Sequence, residues 1–139
     1  ALTPNKRPRT TLTPSLALRD GKPYMVFGTP GGDQQDQWSL VMFLRHVHHG
    51  MNLQQAIDAP AFHTSHFESS FWPRGAEPRK VQVEGRFGAE VIRDLERRGH
   101  EVEVMDDWSE GNLSAITRDG EVLRAGANPR YMEGYAVAR

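Results

Sequence analysis

Two Asp-Gly dipeptides, Asp20-Gly21 and Asp119-Gly120, each sit between runs that alternate or are rich in β-branched and aromatic residues: "SLAL" and "PYMVFG" around the first, "LSAIT" and "EVLRAGAN" around the second. Asp-Gly readily adopts the positive φ angles of a tight hairpin turn, so both sites predict β-hairpins and the chain needs an antiparallel sheet. "KVQVEG" and "HEVEVM" alternate too and add strands, and Ala61 to Ser65 reads as a short one.

Helices are expected between the strands. From Asp33 or Asp36, either able to cap, a buried helix carrying Trp38, Leu40, Val41, Met42, Phe43, Leu44 and Val47 is predicted to run to near Gly50. "NLQQAIDAP" suits a second, with Asn52 as N-cap and Pro60 as the stop. "RFGAEVIRDLERRG" places Phe87, Val91, Ile92 and Leu95 on one face of a third, with Arg97 and Arg98 at its C-terminal end and Gly99 as the left-handed cap. Pro4, Pro8 and Pro14 make the start extended or irregular, and the stretch around Pro73, Gly75 and Pro78 is a surface excursion. The expectation is a single α/β (α+β) domain over residues 1–139, a mixed or antiparallel sheet with helices packed on one face.

Charge and composition remove several functions. Lys plus Arg number 17 against 18 acidic residues, a formal net charge of -1, so the attraction that nucleic acid or anionic lipid requires is missing. The basic start "NKRPR" is only a short arm. No apolar run approaches the length of a membrane span, and no secretory leader pattern is present. With zero cysteines there is no disulfide, thiolate nucleophile or cysteine metal site, and the compartment stays open.

The chemistry-bearing candidate is "GTPGGDQQDQW", where Gly31 and Gly32 link a strand to a helix. A nucleotide loop fails because Asp33 and Gln34 stand where a lysine and a hydroxyl are needed, and no GxGxxG exists. Two readings stay open: a plain tight turn, or an oxyanion hole, which needs only two backbone N–H groups and close approach without a side chain. His46, His48 and His49, with His63 and His66, form no recognised metal motif and read as surface or helix-end histidines. Asp106, Asp107 and Glu110 around Trp108 read as a solvated loop rather than an acidic clamp. Arg130 either pairs a buried carboxylate or lines a site, and Phe71-Trp72 is either a partner-facing patch or local packing.

The stretch "RPRTTLTPSLALRDGKPYMVFGTPGGDQQ" resembles the γ-glutamyltransferase (γ-glutamyltranspeptidase) family, whose small subunit carries Lys-Arg-Pro, a hydroxyl pair, a hairpin and then Gly-Ser-Pro-Gly-Gly. "HHGMNLQQAIDAPAFH" and "GEVLRAGANPRYMEGYAVAR" are similar to two later family segments in the same order. The resemblance implies an N-terminal nucleophile hydrolase of the αββα sandwich fold, a zymogen made as one precursor that cleaves itself into two subunits. In that family the newly exposed threonine attacks a γ-glutamyl amide such as glutathione, forms an acyl-enzyme and passes the acyl group to water or an amine, with no metal or cofactor.

Carried over by position, Gly31 and Gly32 are the oxyanion-hole donors, and Thr10 and Thr11 are the hydroxyl pair that holds the substrate carboxylate. The family usually has Ser-Ser there, so the extra methyls narrow the pocket, and Asp33 after the glycines disfavours an anionic group nearby. Related acylases acting on glutaryl side chains of cephalosporins therefore fit as well. Nine residues precede Thr10 and the first is Ala1, which is no nucleophile. The expectation is the C-terminal part of a small subunit, inactive alone. Its partners would be the large subunit, the rest of the small subunit and a small γ-glutamyl substrate, with self-association through uncovered apolar surface. A non-catalytic interaction domain or degenerate paralogue is the rival.

Overall fold

A computed structural model describes residues 3–8, 10–132 and 134–137; Ala1, and Arg9 of the basic start, lie outside them. Among the described residues, seven strands and three α-helices run in the order β1 (Ser15–Arg19), β2 (Lys22–Gly28), a 3-10 turn (Gly32–Gln34), α1 (Gln35–Val47), α2 (Leu53–Asp58), β3 (Phe62–Thr64), β4 (Lys80–Glu84), α3 (Ala89–Arg97), β5 (Glu101–Met105), β6 (Ser114–Asp119) and β7 (Val122–Ala127). A second 3-10 turn spans Arg130–Met132.

The strands form two sheets. One is antiparallel in the order β1-β2-β6-β7; the other, β3-β4-β5, pairs β4 and β5 in parallel across the α3 crossover. Both hairpins form, with different turns. Arg19 pairs with Lys22 across Asp20 (φ 52) and Gly21 (φ 72), the double positive-φ pattern of a type I′ turn. Asp119 pairs with Val122, so Gly120 and Glu121 are the central residues of the second turn, one place later than Asp-Gly implies. Only Gly120, at φ 61, is positive there, the type II′ pattern.

The core lies between the inner face of the four-stranded sheet and α1 and α2, where Met25, Ala115 and Leu113 meet Met42, Leu53, Ala56 and Ile57. Close approach is possible because β7 has a glycine at Gly126, where a Cβ would come within 2.9 Å of Ile57 Cδ1. α2 is held at its start by a full capping box: the Asn52 side chain accepts from the Gln55 amide, and the Gln55 side chain accepts from the Asn52 amide.

Two helical expectations need correction. Neither Asp33 nor Asp36 caps α1, because the chain enters it through the 3-10 turn, with Gln34 at the N-cap position and no side-chain cap bond. Nor is α1 buried all round: Leu40 is 57 % exposed, and Leu44 and Val47 continue the same open stripe at helical spacing. The α3 face is likewise only half-covered, with Val91 exposed.

The outer face of the four-stranded sheet is also apolar. Leu16, Val26 and Ile116 lie side by side through the pairings Leu16 to Val26 and Val26 to Ile116, all exposed. Among the described residues, no helix is long and apolar enough to cross a membrane.

Candidate active site

Antiparallel register decides what meets at one end of the larger sheet. Ser15 pairs with Phe27, Gly28 with Ser114, and Ser114 with Ala127. The segments before β1, after β2, before β6 and after β7 therefore emerge together. This brings residues 10–14 to the same end as residues 29–34, and Thr13 Oγ1 donates to Gln35 Oε1 at 3.2 Å across the gap. Within that segment Thr11 is half-buried and Thr10 is exposed, its hydroxyl accepting from the Leu12 amide at 3.1 Å.

At the bend itself Gly31 has φ 132 and Gly32 φ 64, conformations that L side chains rarely adopt. Space forbids a side chain at Gly31 and is tight at Gly32. A Cβ on Gly31 would lie 2.3 Å from Trp38 Cζ3, and one on Gly32 3.3 Å from Phe71 Cε2. Both carbonyls that flank the bend are engaged: Thr29 Oγ1 donates to the Pro30 oxygen at 2.7 Å, and the Gln34 amide to the Gly31 oxygen at 3.4 Å. The Gly32 amide opens a 3-10 turn, so it has no acceptor within that turn. Among the described residues, neither glycine amide donates a backbone or side-chain hydrogen bond.

Asp33 faces away from that bend toward the long loop before β4. Its Oδ2 accepts from Ser69 Oγ at 3.0 Å and from the Ser70 amide at 2.7 Å, which pins the loop and sets Phe71 beside Gly32. Asp33 is thus a loop anchor, and its charge is already met by donors. Between that loop and the start of α1 lies a cleft of about 760 Å³, bordered by Asp33, Gln37, Thr64, Phe71 and Trp72. Gln37 holds the far wall, its side-chain amide exchanging two hydrogen bonds with the Thr64 backbone, at 3.0 and 2.8 Å.

Behind the bend is a buried ionic cluster that sequence reasoning only half located. Glu84 at 0 % exposure and Arg130 at 1 % form a two-point pair, Nε to Oε1 at 2.6 Å and Nη2 to Oε2 at 3.0 Å. Arg130 therefore pairs a buried carboxylate, the first of its two expected roles. Glu84 also accepts from the Ala61 and Glu110 amides, each at 3.0 Å, and from Arg86. Burial alone would raise the Glu84 carboxyl, but the bonds from Arg130, the Glu110 and Ala61 amides and Arg86 outweigh it and hold the group below the usual carboxylate range.

Two guanidiniums, Arg130 and Arg86, share the Glu84 carboxylate, and a third, Arg45, stands beside them where α2 ends. Arg130 donates to the Ile57 and Ala59 oxygens, Arg86 to the Asp58 oxygen, and Arg45 to the Ala59 and Pro60 oxygens. The Ile57, Asp58 and Ala59 oxygens are orphan carbonyls at the negative end of the helix, and the Pro60 oxygen lies just beyond it. Burial and the neighbouring Arg130 lower Arg45 from its ordinary value, with Glu84 opposing.

Glu110 is buried, not part of a solvated loop, because its amide is tied to Glu84 and its Oε2 meets His63 Nδ1 at 2.5 Å. His63 in turn stands edge-on to Trp38. His46 bonds Tyr24 Oη at 2.8 Å and the Met51 oxygen at 2.9 Å. Thus His63, expected at the surface or a helix end, is a buried tether, His46 is a half-buried tether in the last turn of α1, and His48 and His49 are exposed. Among the described residues, no three His, Asp or Glu groups are placed to share a metal ion. Phe71 and Trp72 are both exposed.

With this geometry in hand, the likeness to known proteins becomes specific. The family model for Gamma-glutamyltranspeptidase matches residues 1–138. The chain belongs to the γ-glutamyltranspeptidase family. Within it, the chain is 38 % identical over 134 residues to the glutathione hydrolase-like YwrD proenzyme of Bacillus subtilis, covering 93 % of this chain and 24 % of that protein. It is 37 % identical over 140 residues to the oxamate amidohydrolase proenzyme of Klebsiella pneumoniae, covering 99 % of this chain and 25 % of that one. The solved structure of LmbA2991HD superposes with a TM-score of 0.90 at 57 % identity, over 100 % of this chain and 25 % of that chain. The chain spans about a quarter of the length of these relatives and matches the C-terminal small-subunit region of γ-glutamyltranspeptidases. The two-sheet α/β architecture is that of the family's N-terminal nucleophile hydrolases.

The sequence pointed to Gly31, Gly32, Thr10 and Thr11, and the structure gathers their segments at one end of one sheet. It missed Thr29, Trp38, Glu84 and the His63–Glu110 pair. The signal for Glu84 was weak: it closes the alternating strand "KVQVE", where a charged residue follows the buried Val83 with no sign that it too turns inward.

Proposed function

We propose that this chain supplies the oxyanion hole and the substrate-carboxylate contacts of a self-processed γ-glutamyltranspeptidase-family amide hydrolase or transferase. The observation that carries the proposal is the Gly31–Gly32 bend: two adjacent amides that donate to none of the described residues, in a backbone shape that only glycine holds easily. Such donors stabilise the negative oxygen that develops when an amide carbonyl is attacked. In this reading the nucleophile is a threonine exposed by precursor cleavage and is supplied, with the bulk of the partner surface, by protein outside these 139 residues. The relatives at 37 and 38 % identity are proenzymes, in keeping with that origin.

Thr10 and Thr11 bind the substrate's carboxylate in this reading. The leading substrate is a γ-glutamyl amide, transferred to water or to an amine. A shorter carboxylated amide is the second reading, favoured by the threonine methyls at Thr10 and Thr11 and by the oxamate amidohydrolase relative.

The test uses the assembled, self-cleaved protein with a γ-glutamyl anilide and, separately, oxamate. Gly32→Pro removes one donor and, because proline cannot hold φ 64, the bend's shape as well, and is expected to lower kcat on the accepted substrate by at least about 100-fold. Turnover at the wild-type rate would remove Gly32 from the oxyanion hole.

A further inference from the structure

We infer that Thr29 is a positioning residue that aims the Gly31 amide; this rests on the oxyanion reading just given. The Gly31–Gly32 pair is the loosest backbone in the site, because glycine crosses between φ regions with little penalty. Something outside the pair must therefore fix the direction of its N–H groups. A trans peptide is planar, with its C=O and N–H pointing opposite ways. The Thr29 hydroxyl, bonded to the Pro30 oxygen at 2.7 Å, thereby sets the direction of the Gly31 N–H on the same peptide. The corresponding hold on the next peptide, from the Gln34 amide to the Gly31 oxygen, is long at 3.4 Å, so the tighter control lies at Thr29.

The hydroxyl is itself held in place. It accepts from the Asn112 amide at 2.9 Å, which occupies a lone pair and leaves its single proton for Pro30. Asn112 Oδ1 accepts from Asn128 Nδ2, Asn128 Nδ2 reaches the Arg130 oxygen at 3.1 Å, and the Arg130 amide returns to Asn128 Oδ1 at 2.8 Å. A continuous run of bonds thus leads from the buried Glu84–Arg130 pair through Asn128, Asn112 and Thr29 to the oxyanion bend. Trp38 closes the opposite side, its ring against both Gly31 and Gly111.

A donor at Thr29 matters for this role, and side-chain bulk does not. In the assembled enzyme, the series Thr29→Ser, Thr29→Cys and Thr29→Val is measured for kcat and KM, with the extent of self-cleavage and the melting temperature as folding controls. Expected is near wild-type kcat for T29S, a partial loss for T29C, whose thiol is a weak donor, and a loss of about 10- to 100-fold for T29V, with KM within about twofold throughout. If T29V fails to fold, T29S and T29C still give the ordering. A kcat that is unchanged in T29C and T29V, equal losses in T29S and T29V, or a change confined to KM would each overturn the assignment. Gly32→Pro separates the two levels: full activity there removes the oxyanion reading, whereas an inactive Gly32→Pro beside a fully active T29V removes Thr29 alone.

Discussion

The two faces of the four-stranded sheet invert the usual arrangement of a small domain. Its outer face presents Leu16, Val26, Ile116 and Leu123 to solvent, with Leu16 and Leu123 60 and 61 % exposed, while the region behind its inner layer buries Glu84, Glu110 and Arg130. A monomer rarely leaves a contiguous apolar face of this kind open, and it buries charge only when that charge is paired. The contrast separates two kinds of specification. The ionic cluster ties β4, the end of α2 and the segment after β7 together. The outer face stays largely open within this chain, bordered in part by Tyr135, Ala136 and Val137. Sandwiching a second sheet there is what the αββα fold requires, and we propose that the remainder of the precursor does so.

Breaking the ionic cluster has the largest expected effect. Glu84→Gln leaves Arg130 and Arg86 facing a neutral amide in a buried site, and the loss of stability is expected to be about 3–5 kcal/mol, read from the urea midpoint of the assembled protein. The pH dependence sharpens this. The folded Glu84 carboxyl lies below its unfolded value, so its contribution is complete above the ordinary carboxylate range and disappears as pH falls through the depressed folded value. The wild-type protein should therefore lose stability on the acid side, and Glu84→Gln should flatten that limb. A variant whose acid limb keeps the wild-type slope would show that other carboxylates dominate.

The outer face gives the next effect. Ile116→Ala is expected to cost about 2–5 kcal/mol in the assembled protein if the face is covered as proposed. Left open to water, the same change would fall within about 0.5 kcal/mol. Arg118→Glu, on the same strand but with its side chain held by the Gly120 oxygen near the hairpin tip, serves as the control and should be nearly neutral. Equal, small effects at both positions would mean that no second layer covers Ile116.

Local signals carried most of the fold. Asp20-Gly21, Asn52 with Pro60, Gly99 and the alternation in "KVQVE" act through neighbouring residues, so the hairpins, α2, α3 and β4 were legible from the chain itself. The entry to α1 was misread because Asp33 looks like an N-cap in sequence but is drawn to Ser69 and Ser70, 36 and 37 residues away. Glu110 and Arg130 were ambiguous for the same reason: their partners, His63 and Glu84, lie 47 and 46 residues distant. The bend at Gly31 and Gly32 was visible as a glycine pair, yet Trp38 behind it reads in sequence only as one more apolar residue of a helix. Long-range hydrogen bonding and shape leave no periodic trace in a single chain.

The smallest of these effects concerns α2, the helix that separates the two regions. Only six residues long, it is too short to persist on its own propensity, and both ends are secured by side chains. At the C-terminal end, the charged guanidiniums of Arg130 and Arg86 take the Ile57, Asp58 and Ala59 carbonyls, with Arg45 also reaching Ala59; at the N-terminal end, the neutral Asn52–Gln55 box takes two amides. Asn52→Ala should cost about 0.5–2 kcal/mol, clearly less than Glu84→Gln, and Asn52→Asp should recover most of it because a carboxylate accepts from the same amide and favours the positive helix end. The urea midpoints of the three variants give the comparison directly. If Asn52→Ala proved as damaging as Glu84→Gln, the helix rather than the ion pair would be the element that organises the cluster, and Glu84 and Arg130 would be passengers on its C-terminal end.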